Sequence, residues 1–177
     1  MKRILFTLSL RLFLLFAFVR PAYALEAGNS ATITGSHIAY DDRAQILKAY
    51  LLSHKSPLAD YADEFVIAAD LYGLPDWRLV PAISGVESTF GKAIPSQSFN
   101  AYGWANGAHA FNNWPESIAI VTKTLKQKYY DRGLTTIESI GRVYAPPSTT
   151  WAGKVHFFMK KIDDFALSNP NGLPLAD

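Results

Sequence analysis

Apolar residues recur at helical spacing through most of the chain, and Gly, Pro and Asn divide them into a series of helices. Asp41 and Asp42 suit an N-cap and a first turn, and Ile46, Leu47, Tyr50 and Leu51 follow them, so a first helix is predicted to end near His54. Pro57 fits the first position of a second helix. Its Leu58, Tyr61, Phe65, Ala68, Ala69 and Tyr72 make one apolar face that runs up to Gly73. Asp60, Asp63, Glu64 and Asp70 fall mostly on the other side, as a solvated face rather than a metal site. Pro75 and Asp76 open a third helix that turns Trp77, Leu79, Val80, Ile83 and Val86 inward, with Pro81 tolerated near its start and Gly91 as terminator just beyond Phe90.

The pattern then breaks. Residues 92–113 have no helical period and are rich in Gly, Asn, Ser, Pro and aromatics; so long an irregular segment in a small domain is usually functional, or holds a short hairpin. Trp114-Pro115-Glu116-Ser117 opens a fourth helix through Ile118, Val121, Leu125 and Tyr129 to Gly133. Thr135 or Thr136 caps a fifth with Ile137, Ile140 and Val143 on its buried side, and Pro146-Pro147 ends it. A last helix from about Thr150 to Leu167 carries Val155, Phe158, Met159, Ile162 and Phe165 as its core stripe. The fold class expected is mainly α, with helices flanking one irregular loop lobe.

The amino-terminal segment changes the picture of where the chain works. Lys2 and Arg3 precede an apolar stretch that ends in Ala22-Tyr23-Ala24, the layout of a secretory signal peptide, so residues 1–24 are expected to be removed and the protein exported to the periplasm or beyond. The apolar core Leu12–Val19 is bracketed by Arg11 and Arg20 and falls short of the roughly 20 residues that cross a bilayer. An uncleaved membrane-associated segment is the alternative; otherwise no stable membrane anchor is expected. Residues 25–37, rich in small residues, read as a flexible leader, residues 38–168 as one domain, and residues 169–177 as a flexible tail.

Cleavage would remove four basic residues and no acid, so the 17 basic and 15 acidic residues become 13 and 15, a net charge of −2. That balance argues against nucleic acid as partner, since a binder of phosphates needs a basic surface. The absence of cysteine excludes disulfides, thiol nucleophiles and thiolate zinc sites. His37, His54, His109 and His156 have no metal-ligand spacing, and there is no phosphate-binding glycine loop or nucleophile elbow. Neither a metal nor a cofactor is implied, and a monomer is expected.

One carboxylate stands out. Glu87 sits at the end of the apolar third helix, just before polar loop residues, where the helix dipole disfavours negative charge. A carboxyl half-enclosed by apolar neighbours costs more to ionise and can keep a proton to donate to a glycosidic oxygen. The bland alternative is a surface Glu near a helix C-terminus. In the loop, Tyr102 and Trp104 beside Asn100 and Asn106 offer flat apolar faces with polar tips, as sugar binding requires, and Gly103 and Gly107 let backbone approach a glycan closely. Trp114 and Trp151 each begin a helix and are expected in the core, and His109 in solvent.

Several segments taken in order resemble a known family. Glu87-Ser88-Thr89-Phe90-Gly91 is similar to a Glu-Ser-x-x-Gly element, Phe99-Asn100-Ala101-Tyr102-Gly103-Trp104 to the Asn-x-x-Gly element that follows, and Phe111–Ile118 to the opening of the next helix. Tyr144-Ala145-Pro146-Pro147 with Trp151 and Val155 matches a late Tyr-containing motif. The matching segments lie between about Trp77 and Ile162, roughly half of the chain, and resemble the lysozyme-like superfamily, within it the glucosaminidase-type peptidoglycan hydrolases. The resemblance implies a helical domain with an irregular loop or short hairpin lobe forming a cleft. It makes Glu87 the proton donor and sets Tyr144 across the cleft to position the sugar or stabilise charge, with Ser88, Asn100, Tyr102, Gly103, Trp104 and Asn106 as substrate-binding residues. For Tyr144 the alternative is an aromatic packed against Pro146. The partner implied is the glycan strand of peptidoglycan.

Two departures bear on mechanism. Tyr102-Gly103-Trp104-Ala105 stands where soluble lytic transglycosylases usually have Gly-Leu-Met-Gln, so that branch is less favoured. Residues 88–115 contain no Asp or Glu, whereas a two-carboxylate glycosidase needs its second acid about 5 to 9.5 Å from the first. The expected mechanism is therefore one carboxylate assisted by the substrate's own acetamido oxygen, with Glu116 as a distant base or, more simply, a first-turn acid. Hydrolysis and anhydro-forming transglycosylation stay open, as do a non-catalytic glycan-binding module of this fold and an exported helical scaffold.

Overall fold

The computed structural model describes residues 41–169. The signal peptide, the leader, the domain start at residue 38 and the tail from residue 170 lie outside the described residues. Within them the chain is mainly helical and has no strand, so the irregular lobe contains no hairpin. Six helices carry the fold: α1 Asp42–Ser53, α2 Ala62–Tyr72, α3 Leu79–Ser88, α4 Trp114–Thr124, α5 Ile137–Tyr144 and α6 Trp151–Ser168. No described helix is long and apolar enough to cross a membrane.

Local chemistry sets most of the helix ends. The Asp41 carboxylate accepts from Arg43 N at 2.9 Å and caps α1, and Gly73 ends α2 in the left-handed conformation. Thr136 and Ser139 cap α5 reciprocally. Two starts are later than the apolar pattern suggests. A 3-10 turn, Ala59–Tyr61, precedes α2, and Asp76 folds over Arg78 as a turn before α3.

Helix α3 is the centre of the packing: Leu79 through Gly85 are all buried, between α6 on one side and α4 on another. Gly85 is required there by contact, because a Cβ would stand 2.7 Å from the Phe90 ring and 3.1 Å from Phe158 of α6. Arg78 at the start of α3 pairs with Asp76 and with Asp163 of α6, while Arg43 joins Asp41 to Asp70 at the end of α2. The core stripe of α6 is as the periodicity predicts, with Val155 and Ile162 fully buried and Phe158, Met159 and Phe165 packed at its edge.

Val143 is a correction. It is 55% exposed, because at 3.6 residues per turn Ile137, Ile140, Gly141 and Tyr144 share the inward face and Val143 points off it. The fourth helix is also less regular than its pattern implies: after Thr124 it continues as a π turn, Leu125–Tyr129, and a 3-10 turn, Tyr130–Arg132.

Candidate functional site

Glu87 is the penultimate residue of α3, and the chain leaves it through an unusual exit. Thr89, Phe90 and Gly91 are all left-handed, at φ 53°, 58° and 78°, a conformation that costs non-glycine residues about 1 kcal/mol or more. Tertiary bonds hold it: Phe90 is buried, its N donates to Ser84 O at 2.9 Å, and its carbonyl accepts from Ser56 Oγ at 2.8 Å. Ser88 is at the centre of this exit. Its hydroxyl is shared between Ser84 O at 3.0 Å and Ala101 O at 2.9 Å, and it accepts from Gly91 N at 2.8 Å. Ser88 is buried and ties α3 to the loop, so its hydroxyl is not free for a substrate.

The irregular loop is built around Asn100. Its Nδ2 donates to Trp104 O and His109 O, both at 2.9 Å, and its Oδ1 accepts from Trp104 N at 3.0 Å. Asn100 is thus a buried internal brace, and Tyr102, fully buried in the core, is likewise withdrawn from any substrate surface. Both are corrections with one cause: burying Ala101 and Tyr102 is what anchors the loop, and the chain returns to the surface from Gly103 onward. A 3-10 turn over Trp104–Gly107 presents that surface, with His109 exposed against the Phe111 ring.

Gly103 meets Glu87. At φ +66° it is left-handed, and a Cβ there would lie 2.7 Å from Glu87 Oε2. The other carboxylate oxygen, Oε1, accepts from Trp151 Nε1 at 2.7 Å. Trp151 reaches this position because α5 offers Gly141, where a Cβ would come within 3.0 Å of the indole, and because its ring stacks on Tyr144 at 5.0 Å. Glu87 is therefore clasped between the loop backbone and the first residue of α6 while its residue as a whole stays exposed. It is not half-enclosed by apolar side chains.

Tyr144 closes the arrangement from below. Half-buried, it donates its hydroxyl to Tyr102 O at 2.5 Å, and burial, followed by the nearby Glu87 carboxylate and the Tyr129 and Tyr102 phenols, pushes it well above the ordinary phenol range. It is a neutral donor at any physiological pH. Its aromatic ring partners are Trp151 and Tyr129.

Beside this cluster lies a pocket of about 330 Å³ lined by Gly103, Trp104, Ala105, Asn106, Thr124, Lys128, Tyr129 and Tyr144. That volume is at the small end of ligand sites. Gly103, Trp104, Asn106 and Tyr144 were legible as site residues in the sequence; Thr124, Lys128, Tyr129 and the bond from Trp151 were not. The opening of α4 accounts for Glu116, whose carboxylate accepts from Asn112 N at 2.6 Å and Asn112 Nδ2 at 2.9 Å, and whose N donates to Asn113 Oδ1. It is a capping acid rather than a base. Among the described residues no cluster of His, Asp and Glu could hold a metal ion. No protein-family model and no curated protein matches the chain.

Proposed function

We propose that this protein is an exported glycosidase of lysozyme-like fold that cleaves the glycan strands of peptidoglycan, of the endo-β-N-acetylglucosaminidase type, with Glu87 as general acid. The observation that carries the reading is the clasp on Glu87: Trp151 Nε1 on one oxygen, the Gly103 backbone against the other, and Tyr144 beside both. A carboxyl that only meets solvent has no need of a glycine that makes room for it and an indole that orients it.

The chemistry follows from that geometry and from what surrounds it. Glu87 gives its proton to the glycosidic oxygen as the bond from that oxygen to the anomeric carbon breaks. No carboxylate lines the adjoining pocket, so the 2-acetamido oxygen of an N-acetylhexosamine forms the new bond to the anomeric carbon. Water then opens the resulting ring and returns a proton to Glu87. Since Glu87 is exposed in the free protein, the exclusion of water from it falls to the bound polysaccharide. Trp104 and Tyr129 supply aromatic walls for sugar faces, and Tyr144, whose O–H is given to Tyr102 O, offers the sugar its phenol oxygen as an acceptor.

Digestion of purified sacculi tests the reading. Wild-type protein should release soluble fragments with a reducing N-acetylglucosamine end, and Glu87→Gln should release none at an unchanged melting temperature. Anhydro ends would replace hydrolysis by transglycosylation. Sacculus binding without release, in the wild type, would reduce the protein to a glycan-binding module.

A further inference from the structure

The wall of the pocket opposite the loop comes from the irregular end of α4. In a regular α-helix residues four apart share a face and the fifth turns away. The π turn over Leu125–Tyr129 widens the helix by a residue, so Thr124, Lys128 and Tyr129 all line the pocket together. Such π turns recur at functional sites. Here the result is that one cation faces a pocket whose other lining residues carry no charge.

The charge of Lys128 is uncommitted. Neighbouring Lys126 pairs with Asp131, and Lys123 stands over the Tyr72 ring at 5.9 Å, whereas Lys128 is exposed and has no acidic partner among the described residues. Tyr129 and Tyr144, the other titratable residues in the lining, are both held above the ordinary phenol range by burial, so neither supplies a counter-charge. The same pocket has Gly103 in its wall, the residue that rests against Glu87, so the cation faces a pocket that adjoins the proposed acid.

We infer that Lys128 binds a carboxylate borne by a substituent of the glycan, so that the protein selects acid-bearing strands over neutral chitin-like ones. This rests on the glycan-cleaving reading above and adds to it the residue that sets specificity. Two carboxylates in peptidoglycan have this chemistry: the lactyl group of N-acetylmuramic acid where no peptide is attached, and the acids of the peptide stem where one is.

Binding in a Glu87→Gln background, where nothing is cut, separates these. Three tetrasaccharide probes are compared by calorimetry: one with free lactyl groups, one with peptide stems, and chitotetraose. An exposed charge pair of this kind should give an acid-bearing probe about fivefold tighter binding than chitotetraose, and the advantage should shrink at high salt. Adding Lys128→Gln should abolish the difference and Lys128→Glu should invert it, with melting temperatures unchanged. Preference for the first probe identifies the lactyl group, and preference for the second alone identifies the stem. If the wild type cuts sacculi while the three probes bind equally, or the Lys128 variants keep the preference, the assignment to Lys128 is overturned and the glycosidase reading survives. If sacculi are neither cut nor bound and no probe binds, both fall.

Discussion

Replacing Gly103 by alanine puts a methyl group where the Glu87 carboxylate now rests. The new Cβ would stand 2.7 Å from Oε2, while ordinary contacts begin at 3.4 Å, so the oxygen must retreat by about 0.7 Å. The retreat is opposed at the other end, because Oε1 is held at 2.7 Å by Trp151 Nε1. A catalytic group displaced on the order of 1 Å loses about 100-fold in rate, or about 2.7 kcal/mol of transition-state stabilisation. The substitution also forces alanine into a left-handed conformation, at about 1–2 kcal/mol of stability and so about 3–6 °C in melting temperature. Gly133→Ala separates the two effects, since Gly133 has φ +84° and open space around the missing Cβ. Both variants should melt a few degrees early, but only Gly103→Ala should lose about 100-fold in fragment release from sacculi. Equal activity of the two alanine variants would show that the Gly103–Glu87 contact has no part in the reaction.

Trp151→Phe keeps the ring over Tyr144 but removes the donor to Glu87; kcat should fall about 10- to 100-fold with KM unchanged, and a KM rise at intact kcat would set Trp151 against substrate instead. Tyr102 Oη is buried without a hydrogen-bond partner, the neighbouring Ser117 hydroxyl donating to Trp114 O, so Tyr102→Phe should stabilise the protein by about 1 kcal/mol in urea unfolding and leave KM unaltered. A raised KM would return Tyr102 to the substrate surface. Burial pushes the Tyr50 phenol up to about 12, so above pH 10 the unfolded chain releases a proton that the folded chain keeps. The stability from this group is complete below about pH 10 and is lost as pH climbs toward 12. Urea midpoints at pH 9 and pH 11 should therefore differ less in Tyr50→Phe than in the wild type, and an equal difference would contradict the burial.

The helices were readable residue by residue because their signals are local. Asp41 before α1, Gly73 after α2 and Thr136 before α5 act within a few residues of themselves, and the apolar repeat reports which face turns inward. The same locality placed Glu87 at a helix end and Gly103, Trp104 and Asn106 in an open loop. Ser88, Asn100 and Tyr102 look equally polar and equally well placed in the primary structure, yet they are buried, since the loop needs an anchor in the core and these side chains supply it. Trp151 lies 64 positions beyond Glu87, and its bond to the carboxylate exists because Gly141 admits the indole between α5 and α6. Thr124, Lys128 and Tyr129 join the pocket through a π turn whose register no periodic pattern encodes. Caps and amphipathic faces are set by neighbours along the chain, whereas which polar groups reach solvent and which reach each other depends on how distant helices pack, and that packing is decided by the shape of the whole core.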